Sequence, residues 1–395
     1  MNALSQLLIA VLISLAFSAC APSSGAKTVN PEEALPVLLR RTDSVVARVV
    51  ADGIIHRQIV RKEGPWNINF LSIDLKKQDL EITSARALDS LRGRETTSSI
   101  ARRTLRSGRE ILAAINADFF NLKTGECDLS QVIEGEIIKG IKKPLRAQFA
   151  TGYSRTPYIE KFVFDGTGIT LDGRFGIDAI NNLSDSAVVV LNHFFGKYLG
   201  KEREKVFTLY TSRCNGDTCV TVVRDSLKVG EQFVIKDSVQ LLRVPDFKRS
   251  ELGRIAAGDT IRLVLGFLPR KEHLKTLVGG LPMIVDSGRN LPATDSLPGL
   301  TGKFTETRHP RTGVGFSRLG TMVYFVTVDG RQQSSAGMSL REFADVMIEL
   351  GSYRALNLDG GGSTTMVVDG KVVNSPSDST GERPVANVLL VTKMK

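Results

Sequence analysis

The stretch SLREFADVMIELG, residues 339–351, sets Leu340, Phe343, Ala344, Met347 and Leu350 on one face of a helix. Ser339 stands at the N-cap, Glu342 three residues on completes a capping box, and Gly351 supplies the stop. Strand-like runs flank it closely: 321–328 before it, and 355–358, 365–368 and 388–391 after it. A single amphipathic helix set among strands predicts a helix laid on a sheet.

Further from this centre the strand pattern continues. Residues 111–116, ILAAIN, read as a buried strand, and short runs at 162–164, 188–191, 207–210, 220–223, 233–235 and 260–268 read as strands in succession. Residues 66–86 alternate on both sides of the polar segment Lys76-Lys77-Gln78-Asp79, which predicts a hairpin. With 36 glycines, 42% hydrophobic and 24% charged residues in 395, disorder, collagen, coiled coil and helical bundle are all excluded. The expected fold class is α+β: one large domain over 45–395, of mixed and antiparallel sheets with a few packed helices.

The net charge of +10 comes from 52 basic against 42 acidic residues that are mostly scattered. Without zinc-finger spacing, an RRM-like aromatic signature or a basic helix, this reads as a solvated basic surface, and no nucleic acid partner is expected. Residues 7–17, LLIAVLISLAF, are too few to span a bilayer and run into Ser18-Ala19-Cys20, as a signal peptide with a lipobox does. The expectation is a signal peptide over 1–19 and a lipidated Cys20 leading a flexible tether over 20–44, which anchors the chain to the membrane in a bacterial envelope. In that oxidising compartment Cys214 and Cys219, which flank Asn-Gly-Asp-Thr, are candidates for a hairpin disulfide, leaving Cys127 unpaired. No metal-ligand spacing occurs, and no cofactor is expected.

The chemistry gathers at predicted strand ends. Asp359 closes the run 355–358 and is followed by Gly360, Gly361, Gly362, Ser363 and Thr364, whose N–H and hydroxyl groups can form an anion-binding concavity. The absence of a following lysine or helix separates this from a Walker loop or a dinucleotide fingerprint. Arg308, His309 and Arg311 bring two guanidinium forks of the kind that suit a phosphate. Asn116 and Asp118 end the 111–116 strand, and Asp329 ends 321–328. Asp118, Asp329 and Asp359 are thus three candidate catalytic carboxylates, the groups that glycosidic chemistry uses in pairs.

Taken together, NADFF at 116–120, GGLPMIVDSG at 279–288, RHPRTGVG at 308–315, VDGR at 328–331, LNLDGGGSTTM at 356–366, NSPSD at 374–378 and GERPVANVLLV at 381–391 resemble the phosphodiester glycosidase family. The resemblance implies a hydrolase that removes a sugar, with N-acetylglucosamine a candidate, from a sugar 1-phosphodiester in envelope or extracellular glycans. It also implies that Arg308, Arg311 and the glycines steady the departing phosphate while Asp359, in preference to Asp329, serves the anomeric centre. Ala117-Asp118 departs from the family's usual Gly-Gly, so no role for Asp118 carries over. The competing expectation is a non-catalytic envelope lipoprotein that binds anionic polysaccharide through the same groups.

Overall fold

The computed structural model describes residues 44–104, 109–142, 146–292, 300 and 302–394. The expected signal peptide, Cys20 and the tether up to residue 43 lie outside these residues. The helix is Leu340–Glu349, and both halves of its capping box form: Glu342 N–H donates to Ser339 Oγ at 3.2 Å, and Ser339 N–H to Glu342 Oε2 at 2.9 Å. It lies on an eight-stranded antiparallel sheet ordered Ser44–Ala51, Ile54–Arg61, Trp66–Asp74, Met322–Val328, Arg311–Phe316, Arg354–Asn357, Met283–Asp286 and Arg289–Asn290. Period-two alternation sends Ile68, Phe70, Tyr324, Val326 and Val328 towards Phe343, Ala344 and Met347, while Leu71, Ile73, Val323 and Phe325 point the other way. Phe343 is fully buried, an exchange of about 1.5–3 kcal/mol for such a side chain. Gly313 makes room for it, since a Cβ there would stand 2.7 Å from the ring.

The opposite face of that sheet meets a five-stranded sheet, ordered Lys371–Val372, Met366–Val368, Arg109–Asn116, Asn387–Met394 and Leu80–Arg86. Leu389 and Val391 face the first sheet, whereas Val388 and Leu390 face a second helix, Thr97–Thr104. The result is four layers, helix on sheet on sheet on helix.

This arrangement corrects the hairpin expected over 66–86. Both strands form, but Trp66–Asp74 pairs with Ile54–Arg61 and Met322–Val328, whereas Leu80–Arg86 pairs with Asn387–Met394 in the other sheet. Leu75 and Leu80, buried in the core between the sheets, make the polar segment a crossing from one layer to the next. Alternation finds strands but does not name their partners.

A further five-stranded sheet, Glu136–Lys139, Gln131–Ile133, Leu274–Gly279, Gln148–Gly152 and Pro157–Glu160, shares a core with an eight-stranded sheet contributed by residues 163–268. Within the latter, Glu204–Asn215 and Thr218–Ser226 form a long hairpin in which Cys214 and Cys219 pair across the strands and are disulfide-bonded. Cys127 is free and buried. Half of the described residues are strand and 12% helix, so the fold is sheet-rich with a few helices; Ala179–Ile180 beside Val189–Leu191 is a parallel pairing. Among the described residues no helix is long and apolar enough to cross a membrane.

Candidate active site

Three neighbouring strands of the first sheet end at one rim. Arg311 pairs with Val328 and Gly313 with Asn357, so the residues just before 311 and just after 328 and 357 come together. From Asp359 the chain crosses to the second sheet, through a single turn at Gly361–Ser363, and resumes as Met366–Val368 beside Arg109–Asn116. Asn116 clasps this crossing: its Nδ2 donates to the Asp359 carbonyl at 2.6 Å, and its Oδ1 accepts the Thr312 hydroxyl at 2.8 Å and the Thr365 N–H at 3.1 Å. Asn116 is fully buried and holds the site's backbone.

The glycines are required by their neighbours. A Cβ on Gly360 would stand 2.7 Å from the Pro310 carbonyl, and one on Gly362 would stand 2.1 Å from Arg383 Nη2 and 2.2 Å from Asp378 Oδ1. Gly361 has φ +60° and lies against Arg331, whose Nη2 would be 3.0 Å from a Cβ there. The N–H groups of Gly360 and Gly361 are used within the protein, by Asp359 Oδ1 and the Pro310 carbonyl, each at 2.9 Å. The concavity expected from the glycines is therefore partly filled by the protein's own acceptors. The hydroxyls of Ser363 and Thr364 are buried with no hydrogen-bond partner among the described residues.

Asp359 is half-buried at this rim. Burial pushes its carboxyl up to about 6, against the opposing pull of the Ser363 hydroxyl, the Gly360 N–H and the Arg383 charge. Ser363 lies close enough to lower it but outside hydrogen-bonding geometry. Among the described residues, the Gly360 N–H donates to Oδ1 and none donates to Oδ2 in good geometry. Asp329 is buried and also raised to about 6 by burial; its Oδ1 accepts the Ser375 N–H at 3.0 Å and Asn374 Nδ2 at 3.2 Å. Asn374 further binds the Thr364 carbonyl and the Met366 N–H, so Asp329 and the glycine loop share one brace.

Asp118 follows Ala117, whose carbonyl accepts the Asp359 N–H at 2.9 Å, but its own carboxyl is buried. It is sealed inside the protein, with the Gly279 N–H on Oδ1 at 2.8 Å and Asn387 Nδ2 on Oδ2 at 2.6 Å, and burial again raises it to about 6.

The arginines are distributed differently from the sequence expectation. Arg308 turns to Glu342, the capping-box residue, and to the Gly64 carbonyl, and lies over Trp66. Arg311 is buried: its Nε donates to the Met338 carbonyl at 2.8 Å and its Nη2 to the Thr307 carbonyl at 3.0 Å, with Phe304 against it. These forks, expected on phosphate, are occupied by the protein's own acceptors, a carboxylate and a carbonyl for Arg308 and buried carbonyls for Arg311.

Two other arginines border the glycines. Arg331 is exposed, makes no ion pair with a described residue, and holds φ 61°, a left-handed conformation uncommon for a side-chain-bearing residue. Its Nη2 lies 3.4 Å from His309 Nδ1. A guanidinium only donates, so His309 Nδ1 is the acceptor and Nε2 carries the proton. Burial, Arg311 and Arg331 together hold His309 below its usual value, hence neutral at pH 7. Arg383 forks onto Asp378 at 2.8 and 3.0 Å behind Gly362. Both Arg331 and Arg383 stand within the sequence blocks quoted above. The cue that marks them is a glycine run that no turn geometry alone requires, which implies a neighbour in the space of each missing side chain.

With this geometry in view, comparison with known proteins finds that residues 212–392 match the phosphodiester glycosidase family. Over that stretch the chain is similar to the phosphodiester glycosidase family. Its rim residues from Arg308 to Arg383 all fall inside the family match, and Asn116 and Asp118 fall outside it. Human N-acetylglucosamine-1-phosphodiester alpha-N-acetylglucosaminidase is 33% identical over 130 residues, 29% of this chain and 25% of that protein. The SPbeta prophage-derived protein YomE of Bacillus subtilis (strain 168) is 38% identical over 85 residues, 22% of this chain and 13% of that protein. The chain thus spans a quarter or less of the length of these relatives. Among solved structures, a protein from Synechocystis superposes with a TM-score of 0.68 at 22% identity, covering 89% of this chain and 64% of that one. One from Burkholderia pseudomallei gives 0.66 at 18%, covering 93% and 100%. At such identities these two speak for the fold alone.

Proposed function

We propose that the protein is a hydrolase that releases a sugar from a sugar 1-phosphodiester in envelope or extracellular glycans, and that Cys20 tethers it to the envelope membrane. The observation that carries this reading is Asp359, a half-buried carboxyl raised to about 6, set on one rim with the unpaired Arg331 and a neutral His309. Breaking the anomeric C–O bond sends the electron pair to a phosphate oxygen. The product is a phosphomonoester with a second pKa near 6, so the departing group needs charge stabilisation more than a strong acid. The Arg331 guanidinium and the His309 Nε2–H supply donors there, and the Ser363 and Thr364 hydroxyls add two more. At pH 7 the Asp359 carboxyl is mostly ionised and faces the electron-poor anomeric carbon, as nucleophile or as base for a water. Asp329 braces the loop through Asn374. N-acetylglucosamine is the first sugar to try, because the human relative is named for it.

The test is to incubate the soluble part with a panel of sugar 1-phosphodiesters and assay reducing sugar and phosphomonoester together. Equal release of the two products supports the reading. Binding of anionic polysaccharide without cleavage of any diester returns the non-catalytic alternative.

A further inference from the structure

A second cleft, of about 780 Å³, opens where the disulfide-closed hairpin Glu204–Asn215 and Thr218–Ser226 faces the turn between Gln131–Ile133 and Glu136–Lys139. None of the residues around Asp359 lines it. Its floor is apolar, with Ile180, Val190 and Leu265, and its walls carry Glu136, Asn192, Thr211, Asp237 and Gln240. Such a volume suits a small organic ligand rather than a single ion.

Several donors at the walls and mouth are used internally. Asn192 Nδ2 gives its hydrogens to Glu136 Oε1 at 3.3 Å and the Ile137 carbonyl at 3.0 Å. The Tyr153 hydroxyl at the mouth donates to the Glu134 carbonyl at 3.1 Å, and His273 Nδ1 meets Asp217 Oδ1 at 2.6 Å. Acceptors remain open. Among the described residues Gln240 Oε1 is buried with no partner, and the Asp237 side chain is 96% exposed with His193 at 4.0 Å. Glu136 is held above its usual value first by burial, with Asp237 adding repulsion that His193 opposes. An anionic ligand would add to that repulsion. A ligand that brings O–H or N–H donors would satisfy the Gln240 oxygen, and one with an apolar face would cover the floor. Sugar rings offer both, with hydroxyls at the edge and C–H groups on the faces.

We propose that this cleft is a separate binding site for a short run of glycan rings bearing hydroxyl or amino groups and no negative charge. It holds the uncharged or amine-bearing part of a polysaccharide, and it does so independently of whether Asp359 cleaves anything.

The experiment is calorimetric titration of the full chain, and of its Asp359→Asn variant, with tetramers of N-acetylglucosamine, of glucosamine, of galacturonic acid and of lysine. At least one of the first two binds, equally to parent and Asp359→Asn protein, and the acidic tetramer does not. A tighter glucosamine tetramer whose advantage fades with salt identifies the ammonium groups as the source of donors, and equal affinity identifies the hydroxyls. Asp237→Asn or Gln240→Leu weakens binding by about tenfold, the size of one hydrogen bond to a charged or buried group. Thr211→Trp fills the cleft and abolishes binding. The proposal is overturned if neither sugar binds, if Thr211→Trp binds as the parent does, or if the acidic tetramer or tetralysine binds more tightly than both sugars. Because the readout is binding to a protein without Asp359 chemistry, failure of the hydrolase reading leaves this result intact, and the reverse also holds.

Discussion

Asp118 and Asp359 lie at neighbouring ends of the two packed sheets and share one perturbation, since burial raises each to about 6. Their oxygens differ. Both oxygens of Asp118 are taken by buried N–H donors from Gly279 and Asn387, whereas Asp359 keeps one oxygen that no described residue binds. A displaced pKa therefore locates buried carboxyls in general, and free coordination separates Asp359 from Asp118. The arginines repeat the lesson. Arg311 has carbonyls on its fork, and among the described residues Arg331 has only a histidine nitrogen.

The sharpest way to break the comparison is to exchange the two acids in turn. Asp359→Asn should lower turnover of a sugar 1-phosphodiester by ~100-fold or more, the usual contribution of an acid/base group, with an unaltered melting temperature. Unchanged turnover in steady-state kinetics would remove Asp359 from the mechanism. Asp118→Ala should do the opposite: it strands the Gly279 N–H and Asn387 Nδ2 in the interior, at about 1–3 kcal/mol for each unsatisfied group, and so lowers the melting temperature. Turnover per folded molecule should survive.

Next in size is the contrast between arginines. Arg331→Lys should keep the positive charge and lose the planar fork, reducing kcat on the phosphodiester by roughly 10- to 100-fold and sparing a neutral glycoside. Arg311→Lys should instead cost stability and show no such substrate selectivity; equal kinetic losses for both variants would erase the distinction drawn between them. The pH profile gives a milder readout. With Asp359 acting ionised, kcat/KM should hold above pH 6 and fall towards tenfold per unit below it, because the raised pKa leaves the carboxyl protonated there. A flat profile down to pH 4 would contradict that. The smallest effect belongs to Arg308→Leu, which breaks an exposed pair with Glu342 and should change stability by less than about 1 kcal/mol.

The sequence made the layer at Leu340–Glu349 legible in detail, because helix periodicity, capping box and glycine stop are all local signals. The strands themselves were equally plain. Their partners were not: Trp66–Asp74 and Leu80–Arg86 look like a hairpin until the apolar residues on both faces of the first are given neighbours. For the site, the motifs named loops that the fold brings to one rim, but not which guanidinium groups the protein's own acceptors occupy. Arg308 and Arg311 drew attention by their spacing, yet which guanidinium is free depends on whether carbonyls such as Thr307 and Met338 find another donor, a fact spread over distant segments. Arg331 and Arg383 were visible only as the occupants of space that Gly361 and Gly362 leave.

The crossing at Asp359 also bears on the order in which the molecule becomes itself. Residues on its two sides belong to different sheets, and the amide that clasps it, Asn116, is 243 positions away in the chain. A contact of such sequence separation forms only after long loops have closed, which is the slow part of building a sheet-rich protein. The rim around Asp359 should accordingly form last on refolding, behind the recovery of strand content. A nascent chain then carries most of its architecture and still lacks this rim until the strand Asn387–Met394 joins Arg109–Asn116.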